Sequence, residues 1–295
     1  MFFIPYKIDI DLKRLPFVTI LVILACLFIF KTQLDSNEKY VSAVNYYCSE
    51  SLSDSMKRFI RSLDTEHLGC GYFFDSIRSS SNPQVNMMEL IELNEHADKQ
   101  DLERLKTEYN YFLKMVPNNL TDLLDYEPGS LNILTMISSS FTHASWSHVI
   151  GNLIFFYVFA AAIEVVVGSL TYLGIIFVMT ITTSLAYSLS SLGDVNAVPT
   201  VGLSGIVMGM VAMLGVMLPR VNIKCFFWFI LIFRVFRIPA LFLAVWYVGW
   251  DFYDMKHERG SNVNYVAHVS GALTGTLIAL FYVTSRKSFI KQLRK

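Results

Sequence analysis

A serine stands between two glycines at the head of an apolar run, in Val201-Gly202-Leu203-Ser204-Gly205-Ile206. A serine hydroxyl is a weak nucleophile until a neighbouring base takes its proton, and histidine is the usual base because it titrates near neutrality. His268 opens a second apolar run, just before Gly271 and Gly275, whose GxxxG spacing lets helices approach closely. On a third run His148 and Asn152 are spaced i, i+4 and share one helix face. Both can donate hydrogen bonds to the oxyanion of a tetrahedral intermediate. Together these four residues could carry out acyl transfer. A glycine-flanked serine by itself is ordinary helix packing. A metal site built from His143, His148 and His268 is the poorer reading, because His143 and His148 lack HExxH spacing and no general-base glutamate lies between them. No cofactor or metal is expected.

These residues need helices to hold them, and the composition says where such helices lie. Of 295 residues 54% are hydrophobic and only 16% charged, with mean hydropathy +0.45. Soluble domains carry about 25% charged residues. Net charge is zero, which gives no sign of a nucleic-acid partner. Apolar runs of membrane-crossing length (about 17–25 residues) recur at Leu15–Phe30, Ser147–Val167, Thr171–Leu192, Val201–Leu218, Ile238–Tyr253 and Tyr265–Thr284. The first, flanked by Arg14 and Lys31, reads as a retained signal anchor. Cys225–Phe233 is also apolar and reads as an interfacial helix or the tilted start of span five. The expectation is an all-α polytopic membrane protein of six spans.

Between spans one and two, Lys31 to Ser140 holds 10 Lys+Arg and 17 Asp+Glu, the composition of a soluble acidic insert. Leu102, Leu105, Tyr109, Phe112, Leu113 and Val116 fall at helical spacing, whereas "RSSSNPQVN" reads as loop. The sequon Asn119-Leu120-Thr121 reads as a chance match. The expected divisions are 1–31 (tail and span one), 32–130 (insert), 131–285 (membrane core) and 286–295 (basic tail).

Basic residues orient the chain. With the N-terminus inside, the short inner segments hold Lys7, Lys13, Arg14, Arg220, Lys224, Arg234, Arg237, Arg286, Lys287, Lys291, Arg294 and Lys295, against Lys256 and Arg259 outside. Both termini are then cytoplasmic and the insert faces out, where Cys48 and Cys70 either pair in a disulfide or remain two thiols. His148, Asn152, Ser204 and His268 all fall within about two helical turns of the outer ends of spans two, four and six. Polar groups inside spans are costly and mark function by default. Glu164 is a further such candidate, and His143 lies just outside span two.

With that placement the chain resembles the rhomboid family of intramembrane serine proteases. Three segments carry the likeness: His143-x4-His148-x3-Asn152, Gly202-Leu203-Ser204-Gly205, and Ala267-His268-x2-Gly271-x3-Gly275. It covers roughly 130–285 and leaves the insert unexplained. The resemblance implies a six-helix rhomboid-like bundle and a Ser204–His268 dyad with no aspartate. Oxyanion donors would be His148, Asn152 and the Ser204 backbone N–H. His143 would hold the loop before span two, and Glu164 would hydrogen-bond within the bundle. Two departures stand out: Met208 occupies a position that is tyrosine in many bacterial members, and no Trp-Arg pair precedes span two. Transmembrane proteins are the implied substrates and a bacterial inner membrane the expected location. A non-catalytic adaptor or chaperone for transmembrane helices is the main rival; a transporter fits less well, since no inverted repeat is visible.

Overall fold

The computed structural model describes residues 2–9, 15–64, 69–80, 82–94, 97–194, 197–229, 232–257 and 263–285. Lys13, Arg14, Arg259 and the basic tail 286–295, used above for orientation, lie outside the described residues. The chain divides into two compact units, Thr32–Asp122 and the remainder, Met1–Lys31 with Leu123–Lys295.

Helix α1 (Phe17–Tyr46) starts in the larger unit, where it begins the bundle, and runs on past Lys31. The apolar run stops there, but the polar residues that follow are mostly competent helix formers, so the helix does not. The bundle continues with α7 (Ile133–Ser139), α8 (Trp146–Val167), α9 (Ser169–Ser190), α10 (Ser204–Met217), α11 (Ala240–His257) and α12 (Tyr265–Ser285). Four helices among the described residues are long and apolar enough to cross a membrane: the one starting at Phe17, α8, α9 and α12. The serine-bearing α10 is apolar but shorter. Gly168, at φ +85°, ends α8 and starts α9, a backbone conformation that a side chain resists.

The segment expected as an interfacial helix or the tilted start of span five is instead a β-hairpin, which corrects that reading and adds a small sheet to a mostly helical chain. Strands β2 (Asn222–Phe229) and β3 (Ile232–Pro239) pair antiparallel, and β1 (Phe2–Ile8) adds to β2 in the order β1-β2-β3. Aromatic and β-branched residues suit the pleated surface. Trp228 stacks on Phe233 across the hairpin at 5.8 Å, and Asp9 accepts a 3.2 Å ion pair from Lys224.

At the end of the bundle away from the glycine-flanked serine, the buried Glu164 carboxylate closes the start of α1. It accepts from Val18 N (2.9 Å), Thr19 N (2.8 Å), Thr19 Oγ1 (2.7 Å) and Ser169 Oγ (2.6 Å). The first turn of a helix has no internal acceptors for its N–H groups and carries partial positive charge, so a carboxylate suits it.

The smaller unit holds α2 (Asp54–Leu63), α3 (Cys70–Ser79), α4 (Pro83–Glu92) and α5 (Lys99–Met115). Cys48 and Cys70 form a disulfide with Cα atoms 6.0 Å apart. Phe74 stacks on Phe112 at 4.9 Å within a core that includes Tyr47, Ile77, Leu105 and Tyr109. Of the periodic face of α5, Leu105, Tyr109, Phe112 and Val116 are buried, Leu102 is half-buried and Leu113 is exposed. The "RSSSNPQVN" loop is short, because Pro83 starts α4 with Asn82 as its cap. The larger unit resumes at Leu123. Tyr126 exchanges backbone hydrogen bonds with Thr200, and its hydroxyl bonds Ser188 Oγ at 2.5 Å.

Candidate active site

Ser204 is the first residue of α10. Its hydroxyl therefore sits at a helix N-terminus, where free N–H groups and the helix dipole favour developing negative charge. The turn into the helix depends on Gly202, at φ +122°. A Cβ there would stand 2.8 Å from Cε1 and Nε2 of His148 and 3.6 Å from Asn152 Nδ2. Only glycine lets α8 present both donors so close to the serine turn. Gly202 N donates to Ser139 O at 2.8 Å, tying the turn to α7.

The pairing of α10 with α12 brings the histidine in. These helices touch through backbone: a Cβ on Gly271 would fall on the carbonyl of Gly205, and one on Gly275 on the carbonyl of Gly209. A Cβ on Gly205 would stand 3.1 Å from the carbonyl oxygen of Ala267. So the neighbour of Ser204 packs on the neighbour of His268. Asn264 fixes the start of α12: its Nδ2 donates to Thr200 Oγ1 (3.0 Å) and its Oδ1 accepts from Ala267 N (2.9 Å).

Beside the serine lies a small cavity of about 30 Å³, lined among others by Ser139, Thr183, Ser184, Thr200, Ser204 and Asn264. That is enough for one water, and the walls supply the two or more polar partners a buried water needs. Asn152 is buried, and its Nδ2 has no hydrogen-bond partner among the described residues. A buried amide donor without a partner costs stability. His143 is almost wholly buried, donates through Nδ1 to Phe141 O at 3.2 Å, and lies edge-on to the His148 ring at 5.1 Å. Burial, reinforced by the nearby His148 and partly offset by the bond to Phe141, pulls its pKa down to about 4.

The Rhomboid domain family model matches residues 131–285, more than half of the chain. The chain belongs to the rhomboid family. Members of this family are typically intramembrane serine proteases, and the apolar helices make this one an integral membrane protein. No curated protein matches the chain.

In this rhomboid, Ser204, Gly205, Gly202, His148, Asn152, His143, His268 and Gly271 lie at the same end of the bundle, and Gly275 packs on Gly209 further along α10. Glu164, near the other end of α8, bonds to the start of α1, and Cys48–Cys70 belongs to the other compact unit. Met208, one turn after Ser204, is buried.

Two features escaped the sequence reading. The Thr200–Asn264 strut pairs two loop residues that no periodicity connects. The second is Asp251 on α11, whose Oδ2 accepts from His268 Nδ1 at 2.9 Å.

Proposed function

We propose that this rhomboid is a serine endopeptidase that cuts peptide bonds in or next to transmembrane segments of other membrane proteins. Ser204 Oγ attacks the substrate carbonyl carbon as its proton passes to His268. The oxyanion accepts hydrogen bonds from Ser204 N–H, Asn152 Nδ2 and His148. His268 then gives the proton to the leaving amine nitrogen, and a water hydrolyses the acyl-enzyme by the same exchange in reverse. A substrate helix holds its peptide groups in internal hydrogen bonds, so it has to unwind locally before attack. His143 supports the ring of His148 and the loop before α8.

One observation supports this above the rest: a buried, unpartnered Asn152 amide next to His148, both against the turn that leads into Ser204. An adaptor that merely holds helices has no use for a free buried donor at a helix N-terminus. The polar cavity beside Ser204 is a reservoir for the hydrolytic water.

Six spans with both termini cytoplasmic, in a bacterial inner membrane, fit the basic-residue count, and the unit 32–122 then faces outward and selects substrates. The test is co-expression of a single-span model substrate with wild type, Ser204→Ala and His268→Ala. Cleavage by wild type alone is expected. Cleavage that survives both substitutions overturns the hydrolytic reading.

A further inference from the structure

We infer that Asp251 is a positioning residue for His268, so that the catalytic unit is Ser204–His268–Asp251 rather than a pair. The inference rests on the protease reading above and adds a third member that the family resemblance does not include.

The geometry begins with which ring nitrogen is free. Asp251 Oδ2 lies 2.9 Å from His268 Nδ1, and an ionised carboxylate only accepts, so Nδ1 carries the hydrogen. The other nitrogen, Nε2, is then bare in the neutral ring. That is the tautomer a base needs if its lone pair is to face a serine hydroxyl. An imidazole with Nδ1 left to water populates both tautomers, and one of them presents an N–H to Ser204 and cannot accept its proton. The bond to Asp251 removes that ambiguity and fixes the ring about its χ angles.

The carboxylate also acts in the transition state. As Oγ attacks, the hydroxyl proton moves to Nε2 and the ring becomes imidazolium. The positive charge is stabilised by Asp251 across a charge-assisted hydrogen bond, and the proton stays on Nδ1 rather than passing to the carboxylate. Nε2–H then protonates the departing amine, which restores the neutral ring. Every proton is accounted for with no further acid or base.

A plain structural ion pair is the competing explanation. Among the described residues Asp251 makes no ion pair other than this one, although Lys256 stands five residues on along the same helix. Both side chains are largely but not wholly shielded, at 13% and 19% exposure. A carboxylate so placed in an apolar helix is costly to retain. It finds its partner on one specific atom of the catalytic histidine.

The test uses the full chain in proteoliposomes with a single-span substrate, measuring kcat and KM for wild type, Asp251→Asn, Asp251→Ala and Asp251→Glu. It adds the imidazole ¹⁵N spectrum of His268 and the thermal unfolding midpoint of each variant. The expected result is a kcat for Asp251→Asn lower by at least about tenfold, toward the roughly 10⁴-fold seen when a triad loses this charge. KM stays within about twofold, Glu partly restores kcat, and the ¹⁵N spectrum shows Nδ1–H in wild type but a tautomer mixture in Asn. A kcat for Asp251→Asn within about twofold of wild type overturns the proposal. So does a loss of activity that only follows the unfolding midpoint and is equal for Asn, Ala and Glu. Cleavage that persists in Ser204→Ala counts against the protease reading instead, which keeps the two failures apart.

Discussion

The His148 ring lies against Gly202 so closely that a Cβ there would stand 2.8 Å from its Nε2. This contact sets a side-chain donor of α8 beside the turn that delivers Ser204, and Asn152 follows one helical turn later on the same face. If these donors hold the oxyanion, their interaction is made in the transition state and not with the ground-state substrate. Asn152→Ala is therefore expected to lower kcat by about 10²–10³-fold with little change in KM. Steady-state kinetics on a transmembrane substrate checks this.

The glycines of α12 lead to a second prediction. In Gly271→Ala the new methyl group meets the Gly205 carbonyl, so α10 and α12 must separate. Overpacking of this kind costs about 1–3 kcal/mol, and the separation also moves His268 away from Ser204. Gly271→Ala is expected to lower both the unfolding midpoint in detergent and the cleavage rate. Gly249→Ala, where nothing lies within 4 Å of the new Cβ, serves as the control and is expected to leave both intact.

Glu164 lies at the other end of α8 from His148 and bonds to the start of α1. Its substitution is expected to act through stability, because Val18 N–H and Thr19 N–H lose a buried acceptor. Glu164→Ala is expected to cost about 3 kcal/mol, and Glu164→Gln, which keeps one acceptor oxygen, less. Thermal unfolding of the purified protein ranks the two. Cleavage per folded molecule is expected to remain near wild type.

His143 couples stability to pH. Its folded pKa of about 4 lies below the ordinary value of about 6.5, so the unfolded chain binds the extra proton between those values. The stability it contributes is complete above about pH 6.5 and declines as pH falls toward 4, by about 3 kcal/mol at the limit. His143→Gln is expected to flatten the dependence of the unfolding midpoint on pH across that window, whatever it does to the midpoint at neutrality.

The candidate site can be read in the sequence because membrane spans make polar residues conspicuous. Ser204, His268, His148 and Asn152 stand out against apolar neighbours, and the GxxxG of α12 signals the contact that joins them. The sheet was not legible. In β2 both faces carry apolar residues, so no alternation marks "IKCFFWF" as a strand. Its pairing with residues 2–8 also joins segments far apart in the chain, Phe2–Ile8 and Asn222–Phe229. The length of α1 was hidden for the opposite reason: hydropathy falls at Lys31 while helix propensity does not. Asp251 was missed because it lies near the end of its run, where a charge reads as interfacial. Only the fold shows that α11 turns it toward α12.

Covalent labelling with a serine-directed fluorophosphonate, with the adduct located by mass spectrometry, tests most directly whether Ser204 is activated by His268. The expected result is a single adduct on Ser204 in wild type, none in Ser204→Ala, and labelling at least about 10²-fold slower in His268→Ala. An adduct on another residue, or a labelling rate indifferent to the loss of His268, would contradict it.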